Sequence, residues 1–275
     1  MRELALHQIT AMEASPPDLV SIAAEAGCKK VCIFVLSPLV PVNGSDRMEP
    51  LFPTVTDDTK QAMKDRLAAC GVSVMNIEFF PIDADTDLQS YRAPLALGAE
   101  LGAERIVTHV HDTDTERAAR NLALLCDIAQ EYGLQVGLEF MGLSPGCNSL
   151  AKARELVLKA KRPNLGIAID ALHLVRTGSR IDEVAALDPE LIAYVQLCDG
   201  PHLEKSDDYL PEALDRLAPG EGVFPLKEFV RALPANVPMD VEVPSEKLRA
   251  EGIGPLERTI RAVHACRALL QDAAA

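Results

Sequence analysis

No apolar run in this chain reaches the roughly 18 residues that a membrane-spanning helix needs, so no membrane partner is expected. The opening residues, "MRELALHQIT", hold one basic side chain and nothing like the apolar stretch of a secretory leader. Seven cysteines are present, yet no C-x-x-C pair occurs, and an odd, scattered set argues against a disulfide framework. A cytoplasmic protein with reduced thiols is the expectation. Clusters of lysine and arginine are also missing, and the formal net charge is −14. Nucleic-acid binders gain affinity by neutralising phosphates with such clusters, so a polyanionic partner is not expected. Finally, "TAMEASPPD" follows the first strand candidate in place of a G-x-G-x-x-G turn, and no linker or shift in composition marks a second domain.

What is present is a repeat of short apolar runs and amphipathic stretches, at a cadence of about 30 residues that marks βα units. The strand candidates are "LALHQIT", "VCIFVLS", "SVMNIEFF", "RIVTHVHD", "QVGLEFM", "LGIAIDALH", "IAYVQLCDG" and "MDVEVPS". Helix patterns lie between them, several closing on a glycine (Gly27, Gly71, Gly133), with N-caps expected at Asp57 or Asp58, at Asp114 or Thr115, and at Asn148 or Ser149. Eight strands alternating with helices is the count of an α/β (β/α)8 TIM barrel, here a single domain over residues 1–275. The longest irregular piece lies between the seventh strand and its helix, a position that suits a substrate loop. The C-terminal "QDAAA" reads as a frayed tail.

The late strands end in chemistry. Glu139 closes the fifth, Asp170 and His173 the sixth, Gln196 lies on the seventh, and Glu242 on the eighth. In a parallel barrel these ends converge on one face, and three carboxylates brought together need shared protons or a cation. Taken singly, each would be an ordinary rim salt bridge, and Gln196 would serve as well to hydrogen-bond a loop. Converging, they point to a divalent metal.

The set "LEF", "DALH", "QLCD", "PGEG" and "VEV" resembles the xylose-isomerase-like TIM-barrel superfamily, which includes ketose 3-epimerases, hydroxypyruvate isomerases, inosose and 3-dehydroshikimate dehydratases, and apurinic-site endonucleases. The resemblance implies that Glu139, Asp170, Gln196 and Glu242 hold the metal, with Gln196 where many relatives carry histidine. It also implies that Glu139 and Glu242 exchange a proton with the substrate, that His173 faces it, and that a homo-oligomer is common. Three carboxylates and an amide form an all-oxygen donor set, which favours Mn²⁺, with Mg²⁺ or Co²⁺ as alternatives, over nitrogen- and sulfur-preferring Zn²⁺. The expected activity is isomerisation or epimerisation of a small polyhydroxylated carbonyl compound through a metal-stabilised enediolate. The alternative is a dehydratase of the 3-dehydroshikimate or inosose type.

Further substrate contacts are assigned to Arg216, His109, His202 and Glu78. For Arg216, His109 and Glu78 an ordinary structural role competes. Arg216 would pair at the rim with Glu212 or Asp215, His109 would stack against loops, and Glu78 would meet a nearby lysine or arginine. Asn76, Glu78 and Phe80 share a strand face by alternation. Glu221 in "PGEG" would either enter the site or only complete a turn, and Asp199 and His202 would stand just behind the first contacts.

Overall fold

The computed structural model describes residues 2–41, 46–206 and 208–274. Eight parallel strands close into a barrel in the order β1, β2, β5, β6, β7, β8, β9, β10, with β10 returning to β1. Their spans are β1 Leu4–His7, β2 Lys30–Phe34, β5 Ser73–Ile82, β6 Arg105–Val110, β7 Gln135–Glu139, β8 Leu165–Asp170, β9 Ile192–Leu197 and β10 Met239–Val241. The TIM-barrel expectation is thereby met. Two short antiparallel strands, β3 (Leu39–Pro41) and β4 (Met48–Pro50), form a hairpin after β2. That hairpin was not foreseen: its strands are three residues long and each contains or ends on proline, so no alternation develops.

The alternation of each barrel strand separates two cores. Leu6, Ile33, Val74, Ile106, Val136, Ile167, Val195 and Val241 face the helices, within one continuous apolar cluster. Ala5, Cys32, Met75, Val107, Ala168 and Tyr194 fill the barrel interior. Most of these are small, and Tyr194 takes the space they leave. A Cβ on Gly137 would come within 3.0 Å of its ring.

The helix signals hold where the cap chemistry is strong. The Asp114 side chain accepts from the backbone N–H groups of Glu116 and Arg117, opening α4 (Thr115–Glu131). Ser149 caps α5 (Leu150–Ala160) through Lys152 N–H. The buried face of α4, Ala118, Leu122, Leu125, Cys126 and Ala129, keeps helical spacing against the barrel. Gly27, Gly71 and Gly133 adopt the left-handed conformation just beyond α1 (Pro16–Glu25), α2 (Lys60–Cys70) and α4. Two expectations fail at the ends. The α2 helix begins after Thr59 without a side-chain cap, so neither Asp57 nor Asp58 serves. The last helix, α11 (Pro255–Ala274), includes most of the supposed tail, because its apolar stripe, ending in Leu269 and Leu270, anchors the final turns.

All seven cysteines are free. Among the described residues no helix is long and apolar enough to cross a membrane.

Candidate active site

The C-terminal ends of the strands bring the late-strand carboxylates to one buried mouth. Asp170 pairs in register with Gln196, and Gln196's strand pairs with β10 one step before Glu242. Glu139, Asp170, Gln196 and Glu242 are all at least 95% buried. Arg216, from the long connection after β9, lies among them. Its Nη1 is 2.7 Å from Asp170 Oδ2 and its Nη2 is 2.8 Å from Glu242 Oε1. The rim pairings considered for Arg216 do not form. Glu212 is taken by Arg176 instead, and Asp215 accepts from Ser245 Oγ and Lys247 N–H.

This packing sets the proton affinities. Burial, with Glu242 and Asp170 nearby, pushes the Glu139 carboxyl well above the usual range. Burial raises Glu242 too, but Arg216 and His7 oppose it, and it comes to about 7. Burial also works against ionised Asp170. Arg216, His173 and the His173 backbone N–H outweigh it and hold this carboxyl below its ordinary value. Two imidazoles flank Glu139: His173 Nε2 at 3.4 Å and His109 Nε2 at 3.5 Å. Burial drives His173 down to about 4 and His109 to about 3, so both are neutral at pH 7.

On the opposite side of the mouth Glu78 does not meet a lysine or arginine. Its Oε1 lies 2.7 Å from His7 Nε2, both side chains being buried. Burial opposes a charge on His7, yet Glu78, Glu242 and Asp240 raise it to about 10. Phe80 departs from the face it was expected to share with Glu78. The pairing of β5 with β6 shifts between Ile77 and Phe80, so Phe80 turns into the outer core against Tyr91. Phe79 turns instead toward His109, 5.2 Å between ring centroids. Ile9, Met12, Phe34 and Phe52, joined by Phe79, give this side an apolar wall.

Two assignments move outward. His202 is 44% exposed at its side chain, with Glu204 3.9 Å away, because the segment is held by its backbone: Arg176 binds the carbonyls of His202 and Glu204. It therefore does not contact the site. Glu221 pairs with Arg261 on the outer surface. Asp199 is buried behind the site as a loop clamp, accepting from the N–H groups of Gly200, Gly220, Gly222 and Phe224. Gly222 is required there, since a Cβ would fall 2.4 Å from Asp199 Oδ1. Cys198 is a buried thiol in the core.

Tyr209 escaped the sequence reading. Its hydroxyl is 2.8 Å from His173 Nδ1 and 2.8 Å from the Gly142 nitrogen. Only its place in the long seventh connection marked it.

Whether these residues suit a divalent ion follows from their donors. Among the described residues, no three His, Cys, Asp or Glu side chains form a ready cage for a metal. Arg216 takes one oxygen each from Asp170 and Glu242. The donor chemistry nonetheless fits an oxygen-preferring cation. Gln196 Nε2 donates to Glu242 Oε2, which leaves Gln196 Oε1 buried with no partner among the described residues. Around it stand more carboxylates than Arg216 and His7 can neutralise.

A family model described as xylose isomerase-like TIM barrel matches residues 20–267. The inosose isomerase of Bacillus subtilis (strain 168) is 32% identical over 117 residues, 41% of this chain and 40% of that protein. A 3-dehydroshikimate dehydratase of Pseudomonas aeruginosa is 31% identical over 136 residues, 48% of this chain and 21% of that protein. The match thus spans less than half the length of these relatives. Among solved structures, the IOLI protein with a bound zinc atom is similar with a TM-score of 0.79 at 17% identity, covering 98% of both chains. An L-ribulose 3-epimerase gives 0.73 at 15% identity, covering 100% of this chain and 96% of that one. At such identities these two attest the fold alone. On the extent of the family match and the barrel that carries it, the chain belongs to the xylose isomerase-like TIM-barrel family.

Proposed function

We propose that the protein is an isomerase or epimerase of a small, uncharged, polyhydroxylated carbonyl compound. Glu139 and Glu242 would remove and return the proton next to the carbonyl. The observation that carries this reading is the pair itself: two buried carboxyls on β7 and just past β10, both held above the ordinary carboxylate range, Glu242 at about 7. One can hold a proton while the other accepts one, the condition for two-base transfer near pH 7.

The remaining residues take supporting roles. His173 and His109, as neutral rings beside Glu139, suit hydrogen bonds to substrate hydroxyls. The wall of Ile9, Met12, Phe34, Phe52 and Phe79 suits a C–H face and keeps water from the reacting carbon. Glu139, Asp170, Gln196 and Glu242 would hold a divalent cation, with Mn²⁺ favoured on the all-oxygen donor set. Such an ion polarises a carbonyl and its neighbouring hydroxyl when bound.

The uncharged substrate follows from the cations. Arg216 is engaged by Asp170 and Glu242, and His7 by Glu78. Neither is left to anchor a carboxylate or phosphate. This weighs against a 3-dehydroshikimate dehydratase, whose substrate is a carboxylate. Gln196 and the Pseudomonas relatives favour that second reading, and proton removal by the same carboxylates would begin it.

Elemental analysis of the wild type and Glu139→Gln, beside assays on neutral ketoses, inososes and 3-dehydroshikimate, tests the proposal. Stoichiometric manganese lost in the variant, with turnover of a neutral substrate, supports it. Turnover confined to 3-dehydroshikimate establishes the second reading. Full metal occupancy in the variant overturns the ligand assignment.

A further inference from the structure

Tyr209 lies just before the short helix Leu210–Ala213, in the connection between β9 and the helix Leu226–Ala232. It is 2% exposed. Three connections meet at its ring: the one after β7 through Gly142, the one after β8 through His173, and its own. The aromatic ring lies 5.6 Å from the His173 ring at a tilt of 55°. Gly142 allows this approach, because a Cβ there would stand 3.0 Å from Tyr209 Cε1 and 3.3 Å from the Ser206 carbonyl oxygen.

The hydrogen-bond inventory at the hydroxyl fixes a proton. A phenol has one hydrogen to donate and an oxygen that accepts. The Gly142 N–H can only donate, so it occupies an acceptor position at 2.8 Å. Among the described residues the other hydrogen-bond partner of the hydroxyl is His173 Nδ1, also at 2.8 Å. The phenolic hydrogen is satisfied only if Nδ1 accepts it, and a buried hydroxyl hydrogen without an acceptor is costly. With Nδ1 accepting, a neutral ring carries its hydrogen on Nε2. That nitrogen faces Glu139 Oε1 at 3.4 Å.

We infer that Tyr209 is a positioning residue that holds His173 in the Nε2–H tautomer, so that the imidazole presents a hydrogen-bond donor to a substrate oxygen lying beside Glu139. That the donor meets a substrate rests on the isomerase reading; the tautomer does not. The inference also explains why a connection otherwise clamped by Asp199 and Arg176 sends one tyrosine inward. The side chain reports the seated loop to the ring that works beside the base.

The test is a nitrogen-15 spectrum of histidine-labelled protein, with the His173 signals assigned through His173→Gln. Protonated and bare ring nitrogens have widely separated shifts, so the tautomer is read directly. The expected result is a single Nε2–H form in the wild type and a mixture in Tyr209→Phe, which keeps the ring and removes the hydroxyl. An Nδ1–H wild type overturns the inference. So does an unaltered tautomer in a folded Tyr209→Phe. The wild-type spectrum decides the assignment even if that variant fails to fold. Once a substrate is in hand, Tyr209→Phe should lower kcat by roughly five- to tenfold, the loss of about one neutral hydrogen bond, with little change in KM. A changed tautomer with unchanged kcat refutes the positioning role and leaves the tautomer standing. Absence of turnover in the wild type would count against the isomerase reading alone.

Discussion

Arg216→Met asks most directly what the buried arginine does. The guanidinium makes ion-paired contacts of 2.7 Å to Asp170 and 2.8 Å to Glu242, and it is 4% exposed. Methionine fills similar volume but leaves Asp170 without its ion-pair partner and Glu242 with His7 as its remaining cation, beside a third carboxyl in Glu139. Removing one partner of a buried pair costs about 3–5 kcal/mol. A chain of this size loses about 2–4 °C in Tm per kcal/mol, so a fall of roughly 10 °C is expected in protein freed of divalent ions. The pH dependence has a definite sign. Asp170 is held below its ordinary value in the fold, so it contributes stability that is present above about pH 4 and lost as pH falls through the lower folded value. The variant loses that contribution, and its Glu242 rises further once Arg216 no longer opposes burial. Across pH 4–8 the lost Asp170 contribution is a constant part of the gap, whereas the cost of ionising Glu242 without Arg216 grows with pH, so the gap should be widest near pH 8 and narrow as pH falls toward 4. Thermal denaturation followed by circular dichroism across that range provides the assay. A variant as stable as the wild type at pH 8, or a gap that widens in acid, refutes the electrostatic account of the cluster.

Glu139→Gln and Glu242→Gln should each lower turnover by about 10²–10⁴-fold while the fold is retained, as steady-state kinetics and circular dichroism would show. Asp199→Ala removes a carboxylate that accepts four backbone N–H groups. It should cost about 2–4 kcal/mol in urea denaturation and open residues 200–222 to limited proteolysis. Gly146→Ala would place a Cβ 2.2 Å from the Asp112 carbonyl oxygen. Because that neighbour is backbone, the variant should be markedly destabilised, which the same denaturation series measures. Phe80→Ala, at a fully buried outer-core position, should cost about 3–5 kcal/mol without altering the metal content.

The barrel was legible because its signals are local. Short apolar runs at a cadence of about 30 residues located the eight strands, and Asp114, Ser149 and the left-handed glycines marked helix ends. The convergence of Glu139, Asp170, Gln196 and Glu242 followed from strand-end position alone, since parallel closure admits few arrangements. What escaped notice depends on contacts distant in sequence. His7 and Glu78 are 71 residues apart, and neither local pattern announces the other. The pairing shift before Phe80 exchanged it with Phe79, an event that alternation cannot register. Arg216 could be named as a candidate, but its turn inward onto Asp170 and Glu242 depends on how Asp199 and Arg176 seat the connection around it. The same seating carries His202 out to solvent and Tyr209 in toward His173.

The central claim is proton exchange next to a carbonyl by Glu139 and Glu242 on an uncharged polyol substrate. The measurement that tests it most directly is deuterium incorporation from heavy water into neutral ketoses and inososes, followed by proton NMR with manganese-supplied protein. The account predicts exchange at the carbon beside the carbonyl in the wild type, and its loss in Glu139→Gln and Glu242→Gln. Exchange that survives both substitutions, or that occurs only with a carboxylate-bearing substrate, would contradict it.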